Sequence, residues 1–255
     1  MADPVPERME LEFDTVAGWT GHAVAELGDD HAEPAACRGS ASPAGLDWLA
    51  ARCGLRPGDL LADVGGGTGG PAAYARRTTG AAPVVIDPMP AACRAAATMF
   101  GLPAVVGGGD ALPLATASVR ACWNLGVLCT VRDKAAVLAE AHRVLRPGGS
   151  LGLLVFVADR PRPPGAPDGN LFPARTAVHE LLAAAGFART AEVALTELPP
   201  APAAWRQRID RVESVLDRDH GDDPRFAAAQ EQSRRIGALI ADGVVEGRLL
   251  HATAR

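Results

Sequence analysis

The sequence predicts an α/β protein built on a doubly wound, mostly parallel sheet. Three observations carry that reading. Short apolar runs at Leu60–Ala62, Pro83–Ile86, Ala104–Val106, Val119–Leu125 and Ser150–Val157 alternate with longer stretches of helical periodicity, the order expected of strands joined by helical crossovers. Ser150–Val157 is the most apolar of these runs, as a strand covered on both faces has to be. The first run ends in a glycine-rich turn that includes Asp63, Gly65, Gly66, Gly67, Gly69 and Gly70, and a helical segment follows at once. Such a turn lets the backbone bend sharply and approach a ligand with no Cβ in the way. The helix start beyond it offers free N–H groups and a partial positive charge.

Composition narrows the choice of partners. A chain of 255 residues, 48% of them hydrophobic, can bury one large domain with an appendage. The net charge of −5 and the lack of any basic block argue against nucleic acid, which wants clustered Lys and Arg. Lys134 is the single lysine. The five cysteines are odd in number and form no Cys-x-x-Cys pair. They read as reduced thiols of a cytoplasmic protein, with no metal-ligand spacing. The segment MADPVPERMELEF lacks the apolar stretch of a secretory signal, and nothing approaches a membrane span.

Taken in order, residues 1–10 are polar and expected to be frayed. Leu11–Leu27 has helical spacing through Phe13, Val16 and Trp19. Gly28–Gly39 reads as a loop. Ser42-Pro43 opens a helix over Gly45–Arg52, which Gly54 stops. After the strand and glycine turn, Pro71–Arg77 is helical, with its proline in the first turn. The next strand ends at Asp87, placed to accept hydrogen bonds from ribose hydroxyls or to cap the helix Met89–Phe100. Gly107-Gly108-Gly109-Asp110 ends the third strand. Asp133–Leu145 is a helix, Arg146–Gly149 a tight turn and Arg160–Gly169 a surface loop rich in Pro and Gly. Arg175–Ala185 is a helix and Thr190–Leu198 a strand. Trp205–Leu216 and Arg225–Ile240 are amphipathic helices inserted before a last strand, Glu246–Thr253. The division that follows is an N-terminal helical cap over residues 1–45, a core over 46–198 and 244–255, and a helical insertion over 199–243.

The glycine turn by itself fits two ligands. Gly65-x-Gly67-x-x-Gly70 satisfies a dinucleotide fingerprint, and Asp63-x-Gly65-x-Gly67-x-Gly69 a different one. Four landmarks in register favour the second: Asp63–Gly69, Asp87, Gly109-Asp110-Ala111-Leu112-Pro113, and Leu145-Arg146-Pro147-Gly148-Gly149. With them, the run Leu60–Val157 resembles a class I S-adenosylmethionine (SAM)-dependent methyltransferase of the small-molecule type common in bacteria.

The resemblance implies a Rossmann-like seven-stranded sheet in the order 3-2-1-4-5-7-6 with the last strand antiparallel. It implies SAM as cofactor, with Asp63, Gly65, Gly67 and Gly69 around its methionine part and Asp87 on the ribose. Pro88 or Met89 would lie against adenine, Asp110 would accept from the adenine amino group with Ala111 beside it, and Asn124 would offer its backbone carbonyl near the SAM amino group. Two departures stand out: Val119-Arg120 replaces a common Phe-Asp pair, and Leu128-Cys129-Thr130 replaces a Leu-His-His pattern.

Because a sulfonium is already an activated methyl donor, methyl transfer needs mainly alignment, and a base only where the acceptor must lose a proton. His22 and His31 are the candidate bases, and Arg38 a candidate fork for the SAM carboxylate. Trp19, Trp123, Leu128 and Trp205 are expected to line the pocket of a small-molecule acceptor, with amphipathic packing as the competing reading for Trp19 and Trp205. The chain is read as a monomer or homodimer with no nucleic-acid or membrane partner. Two other functions remain open. A SAM-binding catalyst of cyclisation would share the pocket. An NAD-dependent oxidoreductase would share the glycine turn and Asp87, but leaves Asp63 and Asp110 without a role.

Overall fold

The structure, a computed structural model, describes the backbone of residues 4–255 and the side chains of residues 13–255. Seven strands form one sheet: β1 (Leu60–Val64), β2 (Ala82–Asp87), β3 (Ala104–Val106), β4 (Val119–Leu125), β5 (Leu145–Val157), β6 (Phe187–Ala194) and β7 (Glu246–Ala254). Their spatial order is β3-β2-β1-β4-β5-β7-β6. The pairs of β1 through β5 are parallel, and β7 runs antiparallel to both β5 and β6. The chain therefore places its last strand in the slot between β5 and β6.

The crossovers are α4 (Gly70–Thr79), α5 (Pro90–Phe100), α6 (Lys134–Val144) and α7 (Arg175–Ala184), and α1 (Pro4–Leu27), α2 (Ala32–Ala36) and α3 (Pro43–Cys53) precede the first strand. Helices α8 (Ala203–His220) and α9 (Pro224–Ala241) stand between β6 and β7, where the insertion was expected. Helix boundaries follow local chemistry. The Ser42 hydroxyl accepts from Gly45 N–H at the start of α3, and the Asp133 carboxylate from Ala136 N–H at the start of α6. Gly54, Gly80 and Gly101 close α3, α4 and α5 in the left-handed conformation.

One face of the sheet packs against α6 and α7 through Val137, Leu138, Ala141, Val178 and Leu182. The other packs against α3 and α4 through Leu46, Leu49, Cys53 and Tyr74. Helix α1 crosses α5 on small residues, with an ideal Cβ on Gly18 3.8 Å from Ala91 and one on Gly21 3.7 Å from Ala95. The Asp14 carboxylate there accepts from Ala91 N–H at 2.6 Å and Ala92 N–H at 3.3 Å, so one helix caps another.

Four boundaries depart from expectation. Helix α1 starts at Pro4, because Glu, Arg, Met and Leu after a first-turn proline are strong helix formers; residues 1–3 lie outside the described residues. The expected loop Gly28–Gly39 contains a 3₁₀ turn and α2, whose Pro34, Ala35 and Ala36 are buried. Strand β6 begins directly after Gly186 and stops at Ala194, because the Glu197 carboxylate folds back onto Ala194 N–H at 2.8 Å and starts a 3₁₀ turn. The turn Arg146–Gly149 is continuous with β5, with a register shift against β4 between Val119 and Ala121.

Candidate active site

The carboxyl ends of β1, β2 and β4 lie side by side, which is where open α/β sheets bind ligands. Val64 pairs with Ile86 on one side and Asn124 on the other, and Gly65 N–H reaches the Ile86 carbonyl at 2.7 Å. Asp63, Asp87 and Asn124 are buried there, at 1%, 2% and 1% exposure.

Asp87 ties two turns together. One carboxylate oxygen accepts from Gly67 N–H at 2.8 Å, the other from Met89 N–H at 2.9 Å. Met89 is itself the N-cap residue of α5 and that helix start has no side-chain cap bond, so Asp87 fixes the turn before α5 without capping the helix. Asp63 accepts from the backbone of Ala72 in α4, but its Oδ2 has no partner. Burial, and then the neighbouring Asp87 charge, push its carboxyl up to about 7. Neither amide atom of Asn124 has a partner. Buried polar atoms without partners are rare and ask for an explanation such as a ligand.

The glycines have different duties. Gly65 has φ +68°, and a Cβ on it would stand 2.2 Å from Val127 Cγ2. Gly69 has φ +81° and faces Ala96 at 2.9 Å. Gly70 lies under α2, where a Cβ would meet the Ala36 backbone at 2.4 Å. Gly67, with φ +54°, has nothing within 4 Å of its Cβ position. It borders open space, as a cradle for a ligand must.

Asp110 and Ala111 are exposed at the rim. Their segment is held by Glu140 and Arg143 of α6. Glu140 accepts from Leu112 N–H at 2.8 Å, and Arg143 donates to the Leu112 and Leu114 carbonyls at 3.0 and 2.9 Å. Pro88 is exposed and Met89 half-buried beside Asp87.

The structure does not bring the expected acceptor residues together. Trp123 is fully buried, and its ring packs on Gly152, where a Cβ would come within 2.8 Å of Trp123 Cδ1. Leu128 is fully buried in the α6-side core. Trp205 meets Tyr74 edge-on at 6.3 Å and joins the α3-side core. Trp19 stacks on His220 with centroids 3.9 Å apart, and the Arg225 guanidinium lies 5.3 Å from its ring. For all four the packing role is the one observed. Trp123 and Leu128 sit in strand and strand-end segments that are apolar on both faces, so alternation could not tell which way they point.

His22 is exposed. His31 is buried, with Nδ1 3.3 Å from the Gly28 carbonyl and Nε2 without a partner. Arg38 donates to Glu213 of α8 at 3.2 Å. That exposed pair uses one guanidinium donor, and if it is the whole role of Arg38, Arg38→Ala is expected to leave affinity for S-adenosylhomocysteine (SAH) within about twofold in a calorimetric titration.

The sequence reading did not find Val127, Glu140, Arg143 or Asp14. Glu140 and Arg143 carried a faint signal, an i, i+3 acid–base pair on α6.

Comparison with known proteins agrees with this geometry. Residues 62–153 match the family described as "Methyltransferase domain". The chain has the fold of class I SAM-dependent methyltransferases. Among solved structures, the (4+2)-cyclase SpnF superposes with a TM-score of 0.64 at 22% identity, covering 82% of this chain and 80% of that one. A cyclopropane synthase from Mycobacterium tuberculosis gives a TM-score of 0.64 at 17% identity, with 82% of each chain covered. A geranyl diphosphate C-methyltransferase from Streptomyces coelicolor, solved with S-adenosyl-L-homocysteine, gives 0.60 at 18% identity, covering 82% of this chain and 75% of that one.

A methyltransferase domain implies SAM as cofactor, and the residues present suit it. The open space at Gly67, the free Asp63 Oδ2 and the unpartnered Asn124 amide converge on one edge. Among the described residues no cluster of His, Cys, Asp and Glu could hold a metal ion. No helix is long and apolar enough to cross a membrane.

Proposed function

We propose that this methyltransferase fold works as a SAM-dependent methyltransferase on a small-molecule acceptor. The observation that carries the reading is the meeting of Asp63, Asp87 and Asn124 at three adjacent strand ends around the open side of Gly67. When bound, SAM supplies an activated methyl group on its sulfonium.

The chain's part is to hold and orient. Asp87 takes the ribose hydroxyls on the carboxylate that Gly67 N–H and Met89 N–H hold in place. Asp63, Gly65 and Gly67 face the methionine end, Pro88 and Met89 the adenine ring, and Asp110 with Ala111 the adenine edge. Helices α1, α2, α8 and α9 form the cap and insertion over this edge. Trp19 seats α1 on the α8–α9 turn, and Trp205 seats the insertion on α3 and α4. His22 and His31 remain the side chains to test as bases.

The test titrates the purified protein with SAH, then follows SAH release from SAM in the presence of a panel of phenols, amines, carboxylic acids and isoprenoids. Micromolar SAH binding with acceptor-dependent turnover supports the reading. Binding with conversion of an added compound but no SAH release favours cyclisation instead, and binding of NAD in place of SAH overturns both.

A further inference from the structure

Arg38 is a half-filled fork beside the strand-end site. Its backbone segment lies on that edge. A Cβ on Gly70 would stand 2.4 Å from the Ala36 carbonyl carbon and 2.6 Å from Cys37 N. The Gly39 carbonyl oxygen lies 3.6 Å from the Cβ position of Gly126, the residue after β4. Residue 38 is thus held between the glycine turn of β1 and the end of β4. Its side chain lines a crevice between α1, α2 and α8, together with Thr20, Ala35, Ile209, Val212 and Glu213. Ala35 and Val212 are buried and apolar. The Thr20 hydroxyl donates to the Val16 carbonyl at 2.8 Å. The charged groups of the crevice are the Arg38 guanidinium and the Glu213 carboxylate.

That pair is loose for its kind. One nitrogen, Nη1, reaches one oxygen, Oε1, at 3.2 Å, longer than the roughly 2.7–2.9 Å of a good charge-assisted bond. Elsewhere in the chain the guanidinium forks are filled. Arg218 on Glu26, Arg77 on Glu33 and Arg143 on Glu140 each engage two prongs at 2.6 to 2.9 Å. At Arg38, Nε and Nη2 have no partner among the described residues.

We propose that Arg38 anchors the acceptor by a carboxylate, and that Glu213 stands in for that carboxylate in the free protein. A planar carboxylate fits the guanidinium on two prongs and so displaces a one-pronged partner. The Glu213 side chain is 38% exposed and turns out to water. Its departure also makes room, since the crevice as it stands holds no space for a water molecule. The apolar body of the ligand then lies against Ala35, Ile209 and Val212. The exchange swaps one ion pair for another, with no bond made or broken. The inference rests on the strand-end pocket being a SAM site and names the acceptor class, a small carboxylic acid with an apolar body.

The experiment is calorimetric titration of the intact protein, saturated with SAH, with the straight-chain carboxylates from butanoate to octanoate and with benzoate and 3-phenylpropanoate. Each is paired with its primary amide, the same skeleton without the charge. At least one carboxylate is expected to bind with a Kd below about 1 mM, and its amide about tenfold more weakly or worse. Arg38→Gln is expected to lose about tenfold or more in carboxylate affinity while SAH affinity stays within about twofold. Glu213→Gln is expected to bind the carboxylate several-fold more tightly, because the competing group has lost its charge.

SAH binding with no carboxylate bound, or with acids and amides bound alike, overturns the proposal and leaves the cofactor reading intact. A loss of about tenfold in SAH affinity in Arg38→Gln overturns it as well, since the fork then serves the cofactor's own carboxylate. No SAH binding overturns the cofactor reading and the proposal with it. Because the comparison of acid with amide uses the native chain, the test stands even where a variant fails to fold.

Discussion

Asp87→Ala is expected to abolish measurable SAH binding and to destabilise the protein by about 3 kcal/mol, from two charge-assisted hydrogen bonds lost at a buried site. The carboxylate joins Gly67 N–H to Met89 N–H, so it links the glycine turn of β1 to the turn entering α5. Its removal strands both donors and frees the two turns to drift apart. Urea denaturation reads the stability loss, and calorimetry reads the binding. Asp87→Asn keeps one acceptor oxygen and is expected to recover part of the stability but little of the affinity. An alanine variant as stable as the parent, with SAH affinity unchanged, would sink both the tether and the ribose role.

The second large effect separates fold from ligand within one loop. Gly65→Ala places a Cβ 2.2 Å from Val127 Cγ2 at a φ of +68°. Strain of about 1–2 kcal/mol and overpacking of about 1–3 kcal/mol add at that position. The expected loss is about 3 kcal/mol, with the loop after β4 displaced. Gly67→Ala has only the strain to bear, because nothing lies within 4 Å of its Cβ position. It is expected to cost about 1 kcal/mol, yet to lower SAH affinity at least about tenfold, because the new methyl group projects into the space the ligand needs. Thermal melts and titrations of the pair check this. Equal stability losses, or a Gly67→Ala protein that binds SAH normally, would show that the open side of Gly67 is not the cradle.

These residues were legible because their signals are local. A strand, a glycine turn and a helix start occupy one continuous stretch, Asp87 ends a strand of its own, and Asp110 lies in the glycine-rich loop beyond β3. The alternation of strands and helices follows from the same pattern, whereas the strand order, including the placing of β7 between β5 and β6, came from family resemblance. The acceptor side was not legible. Trp123 lies on a strand buried on both faces, where no alternation marks which side is which. Trp19 and Trp205 carry helical spacing that serves equally for a pocket wall or a packing seam, and the contacts that decide are distant in sequence. Val127 against Gly65 is a contact between loops more than sixty positions apart, and neither residue type announces it. Arg38 has the right chemistry for a carboxylate, and the carboxylate it meets in the structure is that of Glu213, 175 positions away.

The seam between the first helix and the insertion also bears on how the chain is made. Glu26 and Arg218 join across 192 positions, and Trp19 waits for His220 and Arg225. The slot between β5 and β6 is filled only by Glu246–Ala254. While the ribosome is still extending the chain, the glycine turn and its aspartates are already synthesised, but α1 still lacks its partners on α8 and α9. The nascent protein thus passes through a stage in which the ends of β1, β2 and β4 are made while β6 still lacks its neighbour in the sheet.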